Sequence, residues 1–304
     1  MISTVKIVFF GTSGSWPSVE RGLPSIGLQV DRDVILFDIG EGTQRQIMQT
    51  NISFMKIAKI FITHFHGDHF LGLAGLIQTM VLNGRTDPLE IYGPRDTVNQ
   101  VSNFLQLGYY SLSFNIRIRD LEEDEEIDFG DYTIKALKTV HPVTNLAYCF
   151  KEKDRKRISQ ELMEKFSLNS REVDKILRNG SLEKNGKTIT IDDISDGIRV
   201  GRKIVYTGDT SPCDCMVEFA RNANVLIHDS TVDSSLEEKA NEYGHSSSRQ
   251  AAEIAKRANV RYLFLTHISP RYRMNDVKIL EEEAKSIFHN TMVAKDLMEF
   301  TVTI

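Results

Sequence analysis

The chain has 304 residues, 41% of them hydrophobic and 26% charged, with a net charge of −5. That size suits one large α/β domain or two small ones with a substantial core, and no run approaches the roughly 18 apolar residues that cross a membrane. The start, MISTVKIVFF, has no small-residue cleavage site of a secretory signal, and three cysteines (Cys149, Cys213, Cys215) are too few for a disulfide scaffold, so the expected location is the cytoplasm. Cys213-x-Cys215 has no second Cys/His pair at zinc-site spacing and is expected to be unremarkable.

In chain order, β-rich runs fall at residues 5–10, 25–30, 33–38, 56–63, 89–93, 115–120, 132–140 and 145–150. Helical patterns at 42–50, 72–83 and 96–107 are interleaved with them. Towards the C-terminus the alternation resumes, with strands at 203–209, 224–230 and 261–267 and helices near 216–222, 247–258 and 276–288. Sheets flanked by helices on both outer faces fit this order. Glu122–Glu126 is an acidic run that suits a solvated turn.

The segment 151–197 interrupts the pattern. It is polar, with two weak helical stretches at 158–166 and 171–178 and no strong core periodicity. Residues 151–187 hold 11 Lys/Arg against 7 Asp/Glu, a net +4 in a chain that is −5 overall. A solvated helical insertion and a protruding basic arm for a polyanion both fit this composition.

Chemistry concentrates in Thr63-His64-Phe65-His66-Gly67-Asp68-His69. At a strand end His64 and His66, two apart, project to one side, and Gly67 lets the backbone turn so that Asp68 and His69 face a second ion near a helix start. Imidazoles and carboxylates suit zinc. His141, Asp209 and His267 each follow a β-branched or aromatic run, which brings three more candidate ligands to strand ends. Asp38 also ends a strand, and a carboxylate there suits holding a ligating imidazole by its other nitrogen; a turn-stabilising Asp before Gly40 and Gly42 is the alternative.

H-x-H-x-D-H followed by isolated His, Asp and His resembles the metallo-β-lactamase fold. More closely the chain resembles ribonuclease Z, the family of tRNA 3′-processing endonucleases. The match rests on F-D-x-G-E-G-T-Q at 37–44, T-G-D-T at 207–210, H-D-S-T at 228–231, G-H-S-S at 244–247 and T-H-I-S-x-R-Y at 266–272, in family order. The resemblance implies a single α/β domain over 1–304, an αββα four-layer sandwich with a flexible tRNA-gripping arm inserted at 151–197. It also implies one zinc on His64, His66 and His141, a second on Asp68, His69 and His267, and Asp209 bridging them. The expected partner is precursor tRNA, and the expected assembly a homodimer in which the arm of one subunit serves the other. Three departures stand out: the arm lacks a Gly-Pro motif, Val19 and Gly22 replace Lys and Asn in a P-x-K-x-R-N loop, and Asp229 stands where bacterial members often have Glu.

Hydrolysis of an RNA phosphodiester needs a nucleophile, neutralised phosphate charge and a proton for the departing oxygen. Two zinc ions sharing a water meet the first two needs, with Asp68 as ligand and proton acceptor. His245, tuned by Asp229, is the expected proton donor. The capping box expected of Ser247 and Gln250 explains the serines around it but not the histidine. Arg271 is a candidate phosphate contact, and His289 has no motif around it. The products expected are tRNA with a 3′-hydroxyl and a trailer with a 5′-phosphate. A hydrolase of a small phosphodiester, lactone or thioester is the alternative, which the basic arm and the G-H-S-S and H-D-S-T motifs oppose.

Overall fold

The computed structural model describes residues 2–273 and 275–303. The chain divides into two compact units, Met1–Lys151 with Arg202–Thr303, and Glu152–Gly201.

Two seven-stranded sheets form the first unit. One runs in the order Glu299–Thr301, Val5–Gly11, Ser25–Val30, Asp33–Phe37, Ile57–Phe61, Leu89–Gly93, Ile116–Asp120. The other runs Thr291–Val293, Tyr262–Thr266, Val225–Asp229, Lys203–Tyr206, Leu146–Glu152, Tyr132–Lys138, Glu126–Asp128. Strand side chains alternate between faces, so a strand apolar on both faces has to be covered on both. In Val5–Gly11, Val5, Ile7 and Phe9 enter the core between the sheets, while Val8 and Phe10 enter the core under the outer helices. Val225 and Ile227 likewise face the intersheet core, and Leu226 the opposite helices.

Those helices show why they pack outside. Leu73–Leu82 buries Leu73, Leu76, Ile77 and Met80, an i, i+3, i+4, i+7 stripe. On the far side, Ser248–Arg257 buries Ile254 together with Ala251, Ala252 and Ala255, whose small side chains let the helix lie close to its sheet. Helix, sheet, sheet and helix make the αββα four-layer sandwich.

The unit Glu152–Gly201 has a core of its own, formed by Leu168, Val173, Ile176, Ile189 and Ile194. Its helix Ser170–Asn179 starts at a capping box between Asn169 and Glu172 and stops at Gly180. An Asn185-Gly186 turn, both residues at positive φ, closes the hairpin Ser181–Lys184/Lys187–Thr190. A second strand pair joins Arg155–Ile158 to Ser195–Arg199. This core departs from the sequence expectation of no strong periodicity, because its apolar residues are shared among two helices and a hairpin, too few in any one window to show a period. Lys156 pairs with Asp192, and Arg157 with Asp196 at 2.8 Å, so part of the basic run is neutralised within the unit.

Cys213 and Cys215 also differ from expectation: they are joined by a disulfide, with Cα atoms 5.2 Å apart, while Cys149 is buried and free. Among the described residues no helix is long and apolar enough to cross a membrane.

Candidate metal centre

Parallel pairing fixes where the site lies. Asp33–Phe37 runs parallel to Ile57–Phe61, so Asp38 and Thr63-His64 emerge together at one sheet edge. In the other sheet Lys203–Tyr206, Val225–Asp229 and Tyr262–Thr266 are parallel, and Asp209, Asp229 and His267 lie at or just past their carboxyl ends. Open α/β sheets place ligands at that edge. His141 is brought in by a bridge between Val140 and Ser211. Six of the eight histidines meet here.

Hydrogen bonds set each ring. Thr63 Oγ1 lies 3.0 Å from His64 Nδ1 and 2.9 Å from Asp38 Oδ2. A carboxylate can only accept, so the threonine proton goes to Asp38 and Thr63 accepts from His64 Nδ1, which leaves His64 Nε2 with its lone pair. His141 Nδ1 sits 2.9 Å from the Gly244 carbonyl, which frees His141 Nε2 in the same way. His69 Nδ1 is 2.7 Å from Asp38 Oδ2, and Asp38 also accepts from Tyr206 OH at 2.8 Å and Thr63 N at 2.7 Å.

The freed atoms converge. His66 Nδ1 lies 3.0 Å from His64 Nε2 and 3.2 Å from His141 Nε2. Asp209 Oδ2 is 3.5 Å from His64 Nε2, while its Oδ1 is 3.3 Å from His69 Nε2 and 3.4 Å from His267 Nε2. Asp68 Oδ2 stands 3.6 and 3.5 Å from the same two nitrogens and accepts from Ser15 N at 2.8 Å. Among the described residues, the buried atoms His69 Nε2, His267 Nε2 and Asp209 Oδ1 have no hydrogen-bond partner. Buried lone pairs facing one another repel unless a cation lies among them. Ligands about 2.1 Å from a tetrahedral metal are roughly 3.3–3.5 Å apart, close to the spacings seen. The residues therefore fit divalent cations in two groups, His64/His66/His141 and Asp68/His69/His267, with one oxygen of Asp209 turned to each.

Charge follows the same division. Burial, with neighbouring imidazoles, lowers the pKa of His64 well below its usual value, and burial lowers His66 and His141 too, which keeps all three as neutral donors. Burial opposes ionisation of Asp209, but positive charge at His267 and His69, the sign a cation between them would also supply, outweighs it and holds the carboxyl well below the usual range. Two non-glycine residues at this edge, Asp38 (φ 59°) and His267 (φ 58°), adopt the left-handed conformation, a local strain often found at functional sites.

His245 stands beside the second group, its ring stacked on His267 at 4.9 Å. Its Nδ1 is 2.9 Å from Asp229 Oδ2, a direct bond that leaves no room for an ion between them. Asp229 is fully buried, and its other oxygen accepts from Thr231 N and Oγ1. Burial lowers the His245 pKa, yet the Asp229 charge and hydrogen bond prevail and raise it to about 9. Ser247 and Gln250 form the capping box of the next helix. Gly244 has φ 79°, and a Cβ there would lie 2.6 Å from His141 Nδ1, so only glycine fits. Arg271 is exposed, with Nε 3.2 Å from Ser269 Oγ, and shares a cavity wall with His245. His289 is exposed and apart from the site.

Thr63, Tyr206, Thr231, Ser15 and Gly244 support the site without having been singled out in the sequence. Thr63 lies within the histidine motif and Gly244 within G-H-S-S, so both had a local signal. Tyr206 had none, because its partner Asp38 is 168 residues away.

A family model described as anti-Pycsar protein Apyc1 matches residues 5–278. Ribonuclease Z of Thermoplasma acidophilum is 51% identical over 304 residues, covering 100% of this chain and 98% of that protein. Ribonuclease Z of Thermoplasma volcanium is 49% identical over 304 residues, covering 100% and 99%. The crystal structure of the short form of human tRNase Z superposes with a TM-score of 0.72 at 28% identity, covering 98% of this chain and 100% of that one. The chain therefore belongs to the ribonuclease Z family of endoribonucleases, on a metallo-β-lactamase fold, and to the sequence family that the anti-Pycsar protein Apyc1 model describes.

Proposed function

We propose that the protein is a zinc-dependent endoribonuclease that cleaves precursor tRNA on the 3′ side of the discriminator nucleotide. The observation that carries this reading is the pair of cation-fitting groups sharing Asp209, with the His245–Asp229 pair alongside, in a ribonuclease Z chain. His64, His66 and His141 would hold one zinc, Asp68, His69 and His267 the other, and Asp209 both. Zinc bound there lowers the pKa of water and neutralises charge on the phosphate oxygens.

The chain's own residues do the rest. Asp38 orients His69, and through Thr63 it also orients His64. Asp68, fixed by Ser15 N, accepts the proton that water gives up as its oxygen bonds to phosphorus. The P–O3′ bond breaks, and His245, whose Nδ1 is committed to Asp229, donates from Nε2 to the departing O3′. The products are tRNA with a 3′-hydroxyl and a trailer with a 5′-phosphate. Arg271, which shares a cavity wall with His245, would contact a neighbouring phosphate. The family resemblance supports a cytoplasmic homodimer in which the basic arm at 151–197 of one subunit grips the tRNA serving the other.

Zinc-loaded protein incubated with precursor tRNA carrying a trailer is expected to cut once, after the discriminator nucleotide. Untouched precursor together with turnover of a small phosphodiester, lactone or thioester would replace this reading by that of a small-molecule hydrolase.

A further inference from the structure

A cavity of about 310 Å³ opens beside His245. Trp16 and Tyr243 line it, each 61% exposed, with Thr231 and Leu236 among the other walls and Lys239 and Arg271 supplying positive charge. Neither ring stacks on another among the described residues. Lys239 makes no ion pair among them. Large aromatics left in water do little for the fold.

The backbone carrying each ring is nonetheless tied to the reacting groups. Ser15 N donates to Asp68, Trp16 N donates to the Gly14 carbonyl at 2.8 Å, and the Trp16 carbonyl accepts from Ser13 Oγ at 2.8 Å. Gly14 lies so close to His267 that a Cβ would be 2.5 Å from the ring, which ties the Trp16 turn to a candidate ligand. Tyr243 is two residues before His245, and their backbone amides both donate to the Ala240 carbonyl, at 3.0 and 2.9 Å.

We propose that Trp16 and Tyr243 bracket the base of the nucleotide on the 5′ side of the scissile phosphate, with Lys239 and Arg271 neutralising adjacent phosphate. The assignment rests on the reading above, in which His245 protonates O3′. The nucleotide that owns O3′ then lies against His245, and the cavity beside that ring receives its base. Every base has two π faces, and aromatic side chains with nearby cations are a common way of holding an unpaired one. Stacking accepts any base, so the pocket sets the position of the cut rather than reading a sequence. Trp16 and Tyr243 are positioning residues.

Trp16 is the only tryptophan, so its fluorescence reports the pocket. RNA ending at the discriminator nucleotide, which offers no bond to cut, is titrated into metal-loaded protein. A base at the last position is expected to quench Trp16, and an abasic ribose there is not. On cleavable precursor, an abasic discriminator is expected to lower kcat/KM of the unaltered protein by roughly 5- to 150-fold. It should cause no further loss in the Trp16→Ala/Tyr243→Ala double variant, while an abasic first trailer nucleotide affects both proteins alike. Equal responses to the two RNAs, a full abasic penalty in the double variant, or coupling to the trailer nucleotide instead would overturn the assignment. Base-dependent quenching without cleavage would sink the proposed reaction and leave the pocket; cleavage without either effect would do the reverse.

Discussion

Asp38 and His245 illustrate how single side chains divide the work of the site. Asp38 reaches His69 at 2.7 Å and, through Thr63, His64, so one carboxylate orients a ring in each candidate cation group. Asp38→Asn keeps the size but removes the charge, and is expected to weaken metal binding about 10- to 100-fold, measured by competition with a chelator. His245→Ala is expected to lower kcat about 10²- to 10⁴-fold with metal content unchanged by elemental analysis. Loss of metal in that variant would move His245 from proton donor to ligand. The histidine motif and the residues at strand ends were legible because they are local: His64 to His69 span six positions, and each of His141, Asp209 and His267 follows its own apolar run. Two of the bonds that support these rings were not legible. Tyr206 to Asp38 and His141 to Gly244 join positions 168 and 103 residues apart, and no sequence window contains both partners.

At the scale of elements, the long apolar strands and amphipathic helices were readable, whereas strands of three residues such as Glu126–Asp128 and Thr291–Val293 were too short to show alternation. The arm hid its core for the related reason that its apolar residues are spread over several short elements. Lys151 and Lys203 are direct partners in the antiparallel pair Leu146–Glu152/Lys203–Tyr206, so replacing residues 153–200 by a short Gly-Ser turn should leave a hairpin. That variant is expected to bind precursor tRNA more weakly, with a shallower dependence on salt, while its turnover of a small chromogenic phosphodiester changes little. Equal losses on both substrates would make the segment a folding element. A different junction ties the start of Val5–Gly11 to the neighbouring turn: Asp31 accepts from Ser3 N at 2.8 Å, Ser3 Oγ at 2.6 Å and Thr4 N at 2.9 Å. Burial works against ionisation there, but these bonds lower the Asp31 pKa. A carboxylate depressed on folding stabilises fully above its unfolded value of about 3.9, and the stabilisation is lost as pH falls through the folded value. Asp31→Asn should therefore reduce the unfolding free energy slightly at neutral pH, by a few tenths of a kcal/mol (roughly 0.2–0.5) once solvent screening of this exposed group is allowed for, a difference that closes as pH falls below about 4 in denaturant titrations.

Across the whole molecule, parallel strands in each of two stacked sheets bring their carboxyl ends to one edge, and candidate ligands from positions 64 to 267 meet there. The order of motifs along the chain made this αββα fold readable without contacts. Strand ends carrying His141, Asp209 and His267 already pointed to convergence on one edge; what the order could not supply is which strands pair in parallel and the turns at Asp38 and His267 that bring it about. The reaction proposed for that edge is attack of water on phosphorus with departure of O3′. End-group analysis of RNA cleaved by zinc-loaded protein tests it most directly: the tRNA fragment should end after the discriminator nucleotide in a free 3′-hydroxyl and the trailer should begin with a 5′-phosphate, whereas a 2′,3′-cyclic phosphate on the tRNA fragment and a 5′-hydroxyl on the trailer would contradict it.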